Sequence, residues 1–155
     1  MKTKPVIEKS PQLCELSVSY QPKVKFSELP KITNSKDCEK IFREIWSEKI
    51  NYVEEVCILL LNRNNKVLGW VKISTGGVSS TIMDPKVIFQ HALLANASAL
   101  ILAHNHPSSN TTPSEADIRM TKQLKEGGKI LDITLLDHLI LTQDSFYSFA
   151  DEGAI

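Results

Sequence analysis

Cysteine is scarce in this chain and never paired. Cys14, Cys38 and Cys57 are the only three, none belongs to a C-x-x-C motif, and the count is odd. That argues against a disulfide framework or a thiolate zinc knuckle. Cys38 and Cys57 stand among apolar neighbours and read as buried thiols, which suits a reducing cytoplasm. Long apolar runs are missing too. Nothing approaches the roughly 18 residues a membrane helix needs, and the opening MKTKPVIEKSPQ has no apolar stretch of the kind a secretory signal carries. Surplus charge is also absent, since 18 Lys plus Arg balance 18 Asp plus Glu. A nucleic-acid binder usually shows a basic excess or stripe, whereas the early lysines here (Lys2, Lys4, Lys9, Lys23, Lys25, Lys31) are scattered. Net charge therefore gives nucleic acid no support as the main partner, and no membrane partner is expected.

What is present suits one soluble domain. A chain of 155 residues, 42% hydrophobic and 23% charged, can build one proper core and hardly two. Residues 1–34 read as a polar tail with one strand, in which Cys14, Leu16, Val18 and Tyr20 alternate with polar neighbours. Between Pro22 and Pro30, Val24 and Phe26 suggest a short extended piece. The domain is expected over 35–155. Asn34 or Ser35 caps a helix whose stripe is Cys38, Ile41, Phe42, Ile45 and Trp46. Residues 56–61 are continuously apolar, as in a central strand covered on both faces. A turn at 62–65 leads to a second strand over 67–74. Asp84-Pro85 pairs an N-cap with proline at the first helical position, so a helix should run from 85 to about 95. A buried strand over 99–103 runs straight into His104. A further helix is expected over about 113–126, ended by Gly127-Gly128, with last strands at 130–135 and 139–142. Interleaved strands and helices predict an α/β sandwich with a mixed sheet.

The chemistry is concentrated in one stretch, LAHNHPSSNTTPSEADIRM, which starts at Leu102. His104 and His106 are two apart at a strand end, and residues i and i+2 of extended chain project to the same side. Two neutral imidazoles plus one more donor make a catalytic zinc site with an open fourth position. Asp117 is the available donor. Ser114-x-x-Asp117 also reads as a capping box, but Thr112-Pro113-Ser114-Glu115 looks like the better helix start. With Thr112 as the cap, Ser114 and Asp117 would lie inside the helix, three apart on one face, with the acid free for metal.

His104, His106, Ser114 and Asp117 match the JAMM signature of MPN domains, spacing for spacing. The wider string HNHPSS…PSEAD, with LLDHLIL at 135–141, resembles the JAB domain of the bacterial RadC family over roughly residues 35 to 153. The resemblance implies a cytidine-deaminase-like α/β sandwich around zinc, with His104, His106 and Asp117 as ligands and Ser114 helping to hold a tetrahedral intermediate. It also implies a catalytic glutamate just before a strand. Of Glu54 and Glu55, matching VCILLLNRNNKVL to the family pattern places that acid at Glu54 and leaves Glu55 as a solvated residue. In such a site zinc lowers the pKa of a bound water to about 7. Glu54 would act as base and then acid, and Ser114 and the metal would share the oxyanion. The implied activity is that of a metallohydrolase acting on a peptide or protein substrate, at a peptide or isopeptide bond.

Two departures from that family stand out. Its full-length members usually carry an N-terminal helix-hairpin-helix region, and nothing in 1–34 reads like one. They commonly have glycine after His-Pro-Ser, where this chain has Ser109; a positive φ there would cost roughly 1 kcal/mol. Two alternatives stay open. One is a nucleic-acid-associated accessory role in DNA repair or on a mobile element; the other is a metal-binding module without activity. A deaminase fits worse, because H-x-E with P-C-x-x-C is absent. His138 is either a packed structural histidine or a partner orienting a ligand. His91 reads as exposed, and Trp46 and Trp70 as core residues.

Overall fold

A computed structural model describes residues 17, 19–77 and 81–155. Cys14, Leu16 and Val18 of the expected first strand lie outside them. Of the 24–26 piece, Val24 and Phe26 are exposed, and Phe26–Glu28 is a turn of 3-10 helix rather than extended chain. The packed body takes in Leu29 and Ile32, which are buried.

Helix α1 (Ser35–Ile45) starts where Asn34 accepts a hydrogen bond from the Asp37 N–H, and it buries Cys38 and Phe42. Strand β1 (Glu55–Leu61) is buried at every residue, as its unbroken apolar run requires. It turns through 62–65 into β2 (Val67–Thr75). Helix α2 (Pro85–Leu94) has Asp84 as N-cap and proline in its first turn, as expected. Strand β3 (Ala99–Asn105), helix α3 (Glu115–Leu131), strand β4 (Thr134–Leu141) and short β5 (Phe146–Ser148) complete the order.

The five strands form one mixed sheet in the order β2-β1-β3-β4-β5. Only β3 and β4 are parallel, and α3 is the crossover that a parallel pair needs. Alternation divides the core between the faces. Cys57, Leu59, Ile101, Ala103 and Leu139 pack with Cys38 and Phe42 of α1. Val56, Ile58, Leu100 and Leu102 pack with Ile88 and Phe89 of α2 and Leu124 of α3. The result is the α/β sandwich predicted, with helices on both sides of a mixed sheet. Cys38 and Cys57 are free, buried thiols, and burial pushes both up to about 12. No helix among the described residues is long and apolar enough to cross a membrane.

Three boundaries differ from expectation. Helix α3 runs through Gly127 and Gly128 to Leu131 and ends at Asp132, which is left-handed at φ 55°. Residue 130 is therefore helical, and the two expected late strands are one continuous β4. The glycines serve packing instead: a Cβ on Gly127 would sit 2.9 Å from the Phe89 ring, and one on Gly128 would collide with the Ile133 carbonyl oxygen. Gly128→Ala should therefore destabilise the fold. Overpacking at a backbone contact costs about 3 kcal/mol, and the helix-propensity gain returns about 1. The net, about 2 kcal/mol, would be read from urea unfolding; a variant as stable as the parent would show that the backbone yields there at little cost.

Candidate metal centre

The site forms where β3 ends. Leu100 and Leu102 point to the α2/α3 side of the sheet; by alternation His104 continues that side and His106 follows just beyond the strand. Pairing holds His104 opposite Val56 in β1 and Ile140 in β4, and the His106 N–H donates to the Leu141 carbonyl at 2.9 Å. The two imidazole Nε2 atoms lie 3.0 Å apart. Asp117, in the first turn of α3, brings Oδ1 to 3.1 Å from His104 Nε2 and Oδ2 to 3.6 Å from His106 Nε2. One ligand atom from each of the three residues falls within 4.8 Å of the others, so the group can hold a metal ion. His104 and Asp117 are buried and His106 is half-buried.

The start of α3 corrects the sequence reading. Ser114, not Thr112, is the N-cap, Asp117 is the third helical residue, and the capping box is fully formed. Asp117 Oδ2 accepts from the Ser114 N–H and Oγ–H, each at 2.7 Å, and the Asp117 N–H donates back to Ser114 Oγ at 3.2 Å. Capping and metal binding are not alternatives here. One carboxylate can serve both, with Oδ2 turned to the cap and Oδ1 towards His104.

Hydrogen bonds fix what the imidazoles offer. His106 Nδ1 lies 2.6 Å from the Asn110 carbonyl, which can only accept, so Nδ1 carries a proton and Nε2 presents a lone pair in the neutral ring. His104 Nδ1 contacts His138 Nε2 at 2.8 Å. His138 is fully buried, stacked on Phe149, and held well below the usual histidine range by burial and the nearby His104; it is neutral. Burial pushes Asp117 up, but the close approach of His104, His106 and the Ser114 hydroxyl outweighs it and holds the carboxyl well below the ordinary range. The neighbouring Asp117 carboxylate raises His106, against desolvation. Two imidazoles and a carboxylate converging form a donor set that suits zinc, with three protein ligands and an open position.

Glu54 faces this centre from the β1 side. Its backbone pairs with Gly76 and Gly77. Its half-buried side chain lines a cleft of about 220 Å³ with His106, Ser114, Asp117, Met83 and Met120. It also borders a wider cleft of about 540 Å³ with Asn51, Pro107, Ser108 and Asn110. Burial pushes its carboxyl up, against the pull of His104 and His106. Glu55, expected to be solvated, is instead 2% exposed and bonded to Lys72 at 2.6 Å, to Ser47 and to Thr75. Alternation turns it away from the clefts onto the opposite face. Burial raises its carboxyl, but the Lys72 and Ser47 bonds outweigh this and lower it.

Sequence reasoning passed over two residues. Asn105, between the histidines, is fully buried; it accepts from the Glu55 N–H at 2.7 Å and donates to the Ile50 and Val53 carbonyls. It ties the glutamate-bearing loop to the histidine strand. Thr121 lies one turn beyond Asp117 and touches His138; the i, i+4 spacing was the available signal. Elsewhere, His91 is half-buried rather than exposed, with Nδ1 on its own helix at the Val87 carbonyl. Trp46 packs edge-on against Phe42. Trp70, expected in the core, is 48% exposed. It faces Leu59 across the ladder, but β2 is the sheet edge and α1 packs over β4 instead. Ser109 does adopt positive φ, 61°, so the metal loop carries the strain anticipated for a non-glycine residue.

Known proteins bear on this geometry. The family model described as the RadC-like JAB domain matches residues 32–154. The chain is similar to a UPF0758 protein of Flavobacterium johnsoniae, 46% identical over 125 residues, covering 81% of this chain and 54% of that one. It is similar to a UPF0758 protein of Clostridium perfringens, 37% identical over 144 residues, with coverage of 92% and 61%. The UPF0758 protein YfjY of Escherichia coli (strain K12) is 42% identical over 102 residues, with coverage of 66% and 64%. The chain thus spans about half the length of the curated relatives it matches.

Proposed function

The chain belongs to the RadC-like JAB domain family, and on that premise we propose that it is a zinc-dependent hydrolase of the JAMM type acting on a peptide or isopeptide bond. The observation that carries this reading is the convergence of His104, His106 and Asp117 in a cleft that also contains Glu54. A bound zinc ion would supply a Lewis acid and an acidified water as nucleophile. The protein's own residues account for the rest. Glu54, whose carboxyl is raised by burial, takes a proton and returns it to a leaving amine. Ser114 holds Asp117 through its hydroxyl and lines both clefts, where it can turn to a developing oxyanion. The two clefts share Glu54, His106 and Ser114 in their linings, which suits an extended chain crossing the centre. The apolar lobe contains Met83 and Met120.

The test begins with metal. Protein purified without chelators or a metal-binding tag should carry about one zinc per chain, the stoichiometry of a mononuclear site. It should cleave members of a peptide and isopeptide panel, and lose that activity to a chelator. A chain that stays empty after incubation with zinc would sink the reading.

A further inference from the structure

We propose that Thr121 and His138 are positioning residues that determine which nitrogen of His104 is left free for a metal. The proposal deepens the metal-centre reading and, in its affinity arm, rests on it. Three elements bring the groups together. Thr121 is one turn after Asp117 on α3, and His138 lies in β4 beside Leu102 of the parallel strand β3. Thr121 Oγ is 2.7 Å from the Asp117 carbonyl and 2.7 Å from His138 Nδ1; His138 Nε2 is 2.8 Å from His104 Nδ1.

Counting protons along this chain sets its direction. The hydroxyl has one proton, and the Asp117 carbonyl can only accept it. Thr121 then offers a lone pair to His138, so Nδ1 of that ring must carry the hydrogen. The neutral ring is left with a lone pair at Nε2, which requires a donor, and among the described residues His104 Nδ1–H is the one bonded to it. His104 therefore keeps its Nε2 lone pair, on the side where His106 and Asp117 converge. Were the Thr121 hydroxyl to turn and donate to His138, every proton would move one place along. The chain would then end in an N–H on His104 Nε2, aimed at the point a metal must occupy.

Burial gives this device its force. Thr121, His138 and His104 are all buried, so no bulk water offers an alternative partner. Phe149 stacks on the His138 ring at 4.7 Å and 5°, which keeps the ring from turning away. The chain of bonds starts on the backbone of one candidate ligand and ends on the side chain of another, so the start of α3 and the end of β3 are registered to each other through Thr121 and His138.

The decisive comparison is Thr121→Val, which keeps the shape and removes the hydroxyl, against Thr121→Ser, which keeps it. Proton–nitrogen correlation spectra of ¹⁵N-histidine-labelled, metal-free protein, above the histidine titration range, read each tautomer directly. Competition with a chromophoric chelator reads zinc affinity. The parent and Thr121→Ser should show His104 protonated at Nδ1. Thr121→Val should lose that single tautomer and weaken zinc binding by about 10–100-fold, the range for outer partners of a ligand. A parent with His104 protonated at Nε2, or a Thr121→Val protein with tautomer and affinity unchanged, would overturn the proposal. If the parent binds no zinc, the metal reading fails, while the spectra still decide the tautomer. Should Thr121→Val not fold, His138→Gln, whose amide can accept from His104 and donate to Thr121, replaces it against His138→Leu. Retained affinity in the first and loss in the second is expected; equal behaviour counts against the proposal.

Discussion

Asp117→Asn should empty the metal centre while leaving α3 folded. On the proposed reading the carboxylate has two separable duties. Its Oδ2 closes the capping box with Ser114, and its Oδ1 stands 3.1 Å from His104 Nε2. Asparagine keeps an acceptor oxygen for the Ser114 N–H but loses the charge, leaving two neutral imidazoles as the only strong donors for a divalent ion. Zinc affinity should fall by more than about 100-fold, beyond the range seen when only an outer partner is changed, and that corresponds to roughly 2.7 kcal/mol of binding. Asp117→Ala removes both duties. It should lose the metal equally and in addition cost about 1 kcal/mol of helix-start stability. Metal content by mass spectrometry, beside thermal unfolding of the metal-free proteins, separates the two effects. If Asp117→Asn still held one zinc per chain, Asp117 would be a cap residue and nothing more.

That double duty also marks where sequence reasoning reached its limit. Spacing alone brought His104, His106 and Asp117 into view, and the apolar runs of β1 and β3 announced strands covered on both faces. The turn at 62–65 and the Asp84-Pro85 helix start were equally legible, because each is set by local chemistry. The misreadings share a different cause. Treating the capping box and the metal ligand as rivals moved the start of α3, although a carboxylate has two oxygens and can face two ways. Gly127-Gly128 looked like a helix stop because Phe89, which crowds Gly127, comes from a distant part of the chain, and the Ile133 carbonyl meets Gly128 only once the chain turns from α3 towards β4. Trp70 looked like core because hydrophobicity does not reveal which strand of a sheet is the edge. Glu55 looked solvated because its partner Lys72 lies across the β1–β2 ladder. Thr121 and Asn105 carry no motif, and their roles exist only once the helix and the neighbouring loop have docked on the sheet.

The two adjacent glutamates yield the sharpest functional contrast. Glu54→Gln should retain its zinc and lose hydrolysis by about 10²–10⁴-fold, the usual worth of a positioned acid–base group. Glutamine preserves the size of the side chain and the backbone pairing to Gly76 and Gly77 while removing the proton exchange. Glu55→Gln should do the opposite. Its side chain is buried against Lys72, Ser47 and Thr75 on the face away from the clefts, so loss of its charge should lower stability and leave turnover per folded molecule largely intact. The pH profile adds an independent reading. Because burial raises Glu54, the group holds its proton at pH values where a solvated glutamate has lost it, and the basic form appears only above that raised pKa. Activity should therefore climb with pH along an acid limb lying above the ordinary glutamate range, and Glu54→Gln should abolish that limb rather than displace it. A Glu54→Gln protein that hydrolysed its substrate at the parental rate would remove Glu54 from the mechanism, and the base would have to be sought elsewhere along the two clefts.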